Sequence, residues 1–223
     1  MITISTTDKA YSKAEAAAVI RQAVQDGNDH DGATLSAADL KRLYLHFQPR
    51  PPAKPKTPWD WVARASNDRD CREWVRYVHV TADGCLVATD GRRAHWIENH
   101  TDAPAAGTYE TGGLPLASDT VKLPERWRTA VRADIAGSSM EAVTYDPEAA
   151  ETCEAGEAGL AVRIGVAFYN LRYVREALAV TSVCRGELEL YQNPRDAGSE
   201  PLRGVVRNSD GTTAHFTVMP IRV

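Results

Sequence analysis

The stretch 73–97 constrains the fold more than any other part of the chain, because it sets two Asp-Gly pairs between short β-prone runs. A D-G pair supplies the positive φ of a tight hairpin, since glycine has no Cβ to clash there. Residues 73–80 alternate, with Trp74, Arg76, Val78 and Val80 on one side and Val75, Tyr77 and His79 on the other. Alternation with period two predicts a strand. Asp83-Gly84 then turns the chain into a return strand at 85–89, and Asp90-Gly91 turns it again into a third at 93–97. The expectation is a three-stranded antiparallel meander.

Around this meander the pattern changes to helices and turns. A short strand at 2–5 precedes a helix over 12–25, opened by the capping box of Ser12 and Glu15. A second helix over 36–47 places Leu40, Leu43, Tyr44 and Phe47 on one face and leaves Lys41, Arg42 and His46 off it. The proline-rich segment 48–58 is neither helix nor central strand and reads as a basic connecting loop. Residues 99–118 are rich in turn formers. Pro124 opens a helix with Trp127 and Val131 inward and Arg128 and Arg132 four apart on another face. The acidic stretch 136–159 reads as a loop or irregular hairpin, and 160–168 as a strand alternating through Val162, Ile164 and Val166. Asn170 caps a helix whose Leu171, Val174 and Leu178 face inward, while Arg172 and Arg175 share an outer stripe. Strands at 187–190, 202–207 and 213–219 follow, the last two joined by Asp210-Gly211.

The order repeats: a capped helix, then an antiparallel meander with a D-G turn, and later the same again. Such a duplication predicts an α+β chain with its helices together on one face of antiparallel sheet. Lys41, Arg42, Arg172 and Arg175, with Arg128 and Arg132, then form a basic helical face on an otherwise acidic protein. The net charge of -4 argues against a protein that coats DNA with its whole surface but allows such a local strip. Four scattered cysteines without a C-x-x-C pair predict reduced thiols rather than a zinc site or disulfide scaffold. The start of the chain lacks a leader pattern, and no stretch is long and apolar enough for a membrane helix, so a cytoplasmic protein is expected. Neither a nucleophile motif, a P-loop, a dinucleotide loop nor a converging histidine set is evident. The expectation is therefore a non-enzyme without metal or cofactor.

Four segments resemble one family in its own order. Residues 86–94, LVATDGRRA, resemble the VATDGHRLA segment of the bacterial DNA polymerase III beta subunit, the DNA sliding clamp. Residues 72–80 occupy the place of its preceding strand, 168–178 resemble its FNVKYLLDAL helix, and 216–223 resemble its terminal YVVMPMRL. The resemblance spans residues 35–223, loosely over 99–159. It implies a DNA-clamp-like fold in residues 34–223, with the proline-rich loop 48–58 and a variable insertion at 99–159, and with residues 1–33 as an extension or first half-unit. It implies a replication processivity factor whose helices face duplex DNA in a ring of like subunits. It further implies a pocket for clamp-binding peptides of polymerase or repair proteins, formed by Thr89, Gly91, Arg93 and Ala94 with Val218, Met219, Pro220, Ile221 and Arg222. Arg93 and Arg222 would hold acidic or carbonyl groups of the peptide, and Met219 and Ile221 would offer adaptable apolar surface. Arg92 stands where the family has histidine and Ala94 where it has leucine, which alters the pocket. At 223 residues the chain is also much shorter than the three-domain members. Either several small subunits close a ring, or the protein docks peptides without encircling DNA, as a monomeric or dimeric accessory module.

Overall fold

A computed structural model describes residues 15–16, 18–19, 53–117, 121–124, 127, 140–155, 159–194 and 201–222. The chain divides into two compact units, Met1–Pro51 with Asp146–Glu151, and Pro52–Tyr145 with Thr152–Val223. In the first, Glu15, Ala16, Ala18 and Val19 are helical. The expected strand at 2–5 and helix at 36–47, with Lys41 and Arg42, lie outside the described residues, as do Arg128, Val131 and Arg132.

The second unit is α+β, and every strand pairing described in it is antiparallel. It opens with helix α1 (Pro58–Ala63), capped reciprocally by Thr57 and Asp60 with proline at its first position. A 3-10 turn (Glu73–Arg76) leads into β1 (Val78–Val80), β2 (Leu86–Thr89), β3 (Arg93–Glu98) and β4 (Gly107–Tyr109). Next come β5 (Glu141–Ala142), β6 (Thr152–Glu154), β7 (Leu160–Ile164) and β8 (Ala167–Asn170). Helix α2 (Leu171–Leu178) and a second 3-10 turn (Ala179–Ser182) precede β9 (Leu188–Gln192), β10 (Leu202–Arg207), β11 (Thr213–Val218) and β12 (Pro220–Ile221). The large sheet runs β4-β1-β2-β3-β11-β10-β9-β5, and the small one β12-β8-β7-β6.

The expected meander forms, with Gly84 at φ 75 and Gly91 at φ 83 in its two turns. Two expected strands are corrected. Residues 73–76 coil into a 3-10 turn, because Asp70 accepts from the Arg72 backbone and side chain while its own carbonyl accepts from the Arg76 side chain. These local bonds outweigh the alternation. The run 160–168 is a hairpin rather than one strand: Gly165 adopts φ 57, β7 ends, and Val166 is left exposed at the bend.

The duplication is visible in the large sheet. Each half reads helix, 3-10 turn, three-stranded meander, and the halves meet where β3 pairs with β11. Asp90-Gly91-Arg92-Arg93-Ala94-His95-Trp96 returns 120 residues later as Asp210-Gly211-Thr212-Thr213-Ala214-His215-Phe216. The register respects this offset: His95 faces Phe216 and Trp96 faces His215, so the two pairs exchange under a local two-fold.

Cross-strand neighbours share a face, which sorts the core. His95 stacks on Trp61 of α1 at 4.4 Å, and the Trp61 indole donates to the Ala177 carbonyl of α2, so both helices cover one face. The opposite face carries Val87, Ala94 and Trp96 under Leu123 and the helical Trp127. Helix α1 at Pro58–Ala63 was not among the expected helices; it shares a face with α2, whereas Trp127 sits on the other. Covered on both sides, β1 and β2 are buried at every position. Gly204 is required beneath Phe216, because a Cβ there would run into the ring. The two sheets join through the bend at Met219 between β11 and β12, and through Gln192, whose amide donates to the Tyr169 hydroxyl and accepts from Val166 N. Among the described residues no helix is long and apolar enough to cross a membrane.

Candidate functional site

The Asp90 turn and the C-terminal run lie side by side. Val218 pairs with Arg93, Met219 N donates to the Arg92 carbonyl at 2.8 Å, and Pro220 and Ile221 then pair with Tyr169 and Phe168 of β8. One chain end therefore crosses from the large sheet to the small one beside the turn. Helix α2 begins next to it, with Asn170 accepting from Arg172 N and Tyr173 N as its cap.

Hydrogen bonds fix the turn itself. The Asp90 carboxylate accepts from Arg92 N and Arg93 N at 2.8 and 2.9 Å, and Thr89 Oγ1 donates to the Arg93 carbonyl while accepting from Gly91 N. From outside, Arg72 donates to the Asp90 carbonyl at 2.7 Å and pairs with Asp70. Beneath, Arg93 pairs with Asp90 at 3.2 Å and with Glu176 of α2, whose other oxygen takes Arg172 at 2.9 Å. The Arg93 guanidinium also lies 4.3 Å from the centre of the Tyr173 ring, within cation–π range. Burial lowers the Arg93 pKa from its ordinary value, and Asp90 opposes the shift.

The nine expected pocket residues divide by depth. Gly91, Met219 and Arg222 are exposed and Pro220 and Ile221 half-buried, whereas Thr89, Arg93, Ala94 and Val218 are buried. Two roles are thereby corrected. Arg93 was expected to offer its charge to a peptide, but its side chain is 5% exposed and already holds two carboxylates. Ala94, expected to line the pocket, packs on the opposite face with Cys85, Val87, Trp96 and Trp127. The surface available to a ligand is thus Arg92, Met219, Pro220, Ile221 and Arg222, resting on an internal ionic floor. Of the expected basic helical face, Arg172 and Arg175 are described, and both are exposed on α2.

Asp90 was expected as a turn residue, but the pairing of Arg93 with Glu176 and its contact with Tyr173 were not anticipated. Arg93 and Glu176 stand 83 residues apart, so local pattern carries no trace of their pairing. The usable local signal was Arg172 four residues before Glu176, the spacing of an ion pair on a helix; the stripe of Leu171, Val174 and Leu178 places Glu176 on the opposite face and so hides its burial.

The histidines serve other purposes. His95 is fully buried, with Nδ1 2.8 Å from the Trp61 carbonyl, and burial pushes its pKa down to about 3 with the Arg93 charge adding to the shift. His79 bridges the Trp74 carbonyl and Thr108, and burial lowers its pKa too. His215 stacks on Trp96. Among the described residues no group of three or more His, Cys, Asp or Glu is arranged to hold a metal. The cysteines are free: Cys71 exposed, Cys85 and Cys184 buried, and Cys153 between. A separate cleft of about 390 Å³ lies over β1 and β4, lined by His79, Thr108, Lys122, Leu123 and Trp127 among others. Compared with models of known families, with curated proteins and with solved structures, the chain matches none.

Proposed function

We propose that this chain is a shortened, non-catalytic protein of the sliding-clamp type that docks clamp-binding peptides of polymerase or repair proteins and serves DNA replication as a processivity factor. The observation that carries the reading is the juxtaposition of the two resembling segments: Val218 pairs with Arg93, and Met219 N bonds the Arg92 carbonyl. Segments far apart in sequence thereby form one surface, with Met219 40% exposed at its centre. The duplicated helix-and-meander halves suit a clamp-like fold, and exposed Arg172 and Arg175 on α2 suit contact with phosphates. A clamp-binding peptide should bind the full chain and lose most of its affinity on Met219→Asp. No binding to the unaltered protein removes the proposal.

A second reading is a peptide-docking accessory that works without encircling DNA. It draws support from the placement of both walls of the surface in one compact unit, so that docking needs no second subunit. Light scattering at high protein concentration in moderate salt separates the two. A closed oligomer that retains circular DNA favours the processivity factor, and a monomer that binds peptide alone favours the accessory module.

A further inference from the structure

We propose that the surface is selective for acidic–apolar segments. Its occupant is a short extended stretch of a partner protein that sets an apolar side chain over Met219 and Ile221 and carries a carboxylate on each side, one for Arg92 and one for Arg222. This rests on the docking reading and narrows it to a class of ligand.

The charges at the site argue for it. Arg93 is held by Asp90 and Glu176, Arg172 by Glu176, and Arg72 by Asp70. Arg92 and Arg222 differ: both are exposed, and among the described residues neither side chain has an ion pair or hydrogen bond. Two uncompensated guanidinium groups on a chain of net charge -4 make a local reversal of sign. They attract anions, and the planar fork of each donor set matches a carboxylate.

Spacing defines the ligand further. Arg92 sits beside Met219 through the bond between their backbones, and Arg222 follows three residues later, past the extended Pro220–Ile221. At about 3.3 Å per residue, that separation is roughly 10 Å, and side chains sharing one face of an extended peptide recur every second residue, so carboxylates on either side of one apolar residue fall within reach of the two long arginine side chains. Met219 and half-buried Ile221 offer apolar surface between the charges. β12 is the terminal strand of its sheet, so a peptide can lie along its far side.

The test uses the full chain and three labelled peptides that share one leucine-containing centre and carry Asp, Asn or Lys at both flanks. Fluorescence anisotropy in low salt should rank them Asp, Asn, Lys, with the Asp peptide about tenfold tighter than the Asn peptide, and the preference should shrink as salt rises. Arg92→Gln with Arg222→Gln should remove the preference, so that the Asp and Asn peptides bind this variant with equal affinity. Arg92→Glu with Arg222→Glu should turn the preference toward the Lys peptide, a reversal that general weakening cannot imitate. Equal binding of Asp and Asn peptides, both weakened by Met219→Asp, overturns acid selectivity and leaves docking intact. Failure of all three peptides defeats the docking reading itself. A short DNA duplex held through Arg92 and Arg222, in place of any peptide, overturns the proposal in favour of nucleic acid.

Discussion

At one end of the β3–β11 pair the chain turns through Asp90-Gly91, at the other through Asp210-Gly211, and both glycines adopt positive φ, 83 and 87. In each turn the aspartate accepts from the backbone N–H two residues on. Beyond the backbone they diverge. Arg93 dives under the first turn to Asp90 and Glu176, whereas its counterpart under the two-fold is Thr213. Arg72 clamps the first turn from outside, while nothing lies within 4 Å of a Cβ built on Gly211. The same local code thus makes both turns, and only one is tied to a helix, a tail and an ion network. Burying such charges is costly unless each is paired, so the extra structure marks the end where a fixed surface is presented.

The largest effect is expected at that network. Glu176→Ala leaves the buried Arg93 with Asp90 alone and should cost about 3–5 kcal/mol, the range for breaking a buried ion pair from one side. Urea denaturation measures it. Thr213→Ala, at the matched position of the other half, should cost less than about 1 kcal/mol. Arg93→Met combined with Glu176→Leu should recover part of the loss, because the buried guanidinium is gone while the Asp90 carboxylate keeps its bonds from Arg92 N and Arg93 N. If Glu176→Ala costs no more than Thr213→Ala, the network is incidental and the two ends are equivalent.

A second difference lies one step inward, at His95. Its folded pKa of about 3 lies below the unfolded value, near 6.5. Above pH 6.5 both states are neutral and stability is whole. As pH falls, the unfolded chain takes up a proton that the folded core refuses, so stability drops toward the folded pKa. The slope approaches about 1.4 kcal/mol per pH unit, or roughly 2 kcal/mol between pH 6.5 and 5. His79, also lowered by burial, adds in the same direction. Denaturation across this window should show the loss, and His95→Gln should flatten it. An unchanged slope in that variant would place the acid sensitivity elsewhere.

Legibility in the sequence followed range. The D-G turns, the Asn170 cap and the β1–β3 meander were readable because their causes lie within a few residues. The 3-10 turn at Glu73–Arg76 was not, because bonds from Asp70 override the alternation of side chains. Nor was the division of the expected pocket into surface and floor. Whether Arg93 points to a ligand or to Glu176 depends on a helix 83 residues away, and Ala94 faces inward because Trp127 covers that side. The duplicated D-G-x-x-A-H-aromatic string was present in the letters and places the two-fold directly. What it does not encode is the asymmetry laid over it.

The smallest effect isolates the outer clamp. Gly91→Ala and Gly211→Ala each force an L residue into the left-handed region, at about 1–2 kcal/mol. Only at Gly91 does the added Cβ meet another group, the Arg72 guanidinium at 2.7 Å. That side chain is 45% exposed and can swing away, giving up its bond to the Asp90 carbonyl at a further cost of about 1 kcal/mol. Gly91→Ala should therefore exceed Gly211→Ala by about that amount in thermal or urea denaturation. In an Arg72→Ala background the excess should vanish, because the clamp is already gone. Equal costs in the unaltered background would mean that Arg72 does not brace the turn, and that the first turn owes its distinct character to the Arg93 network alone.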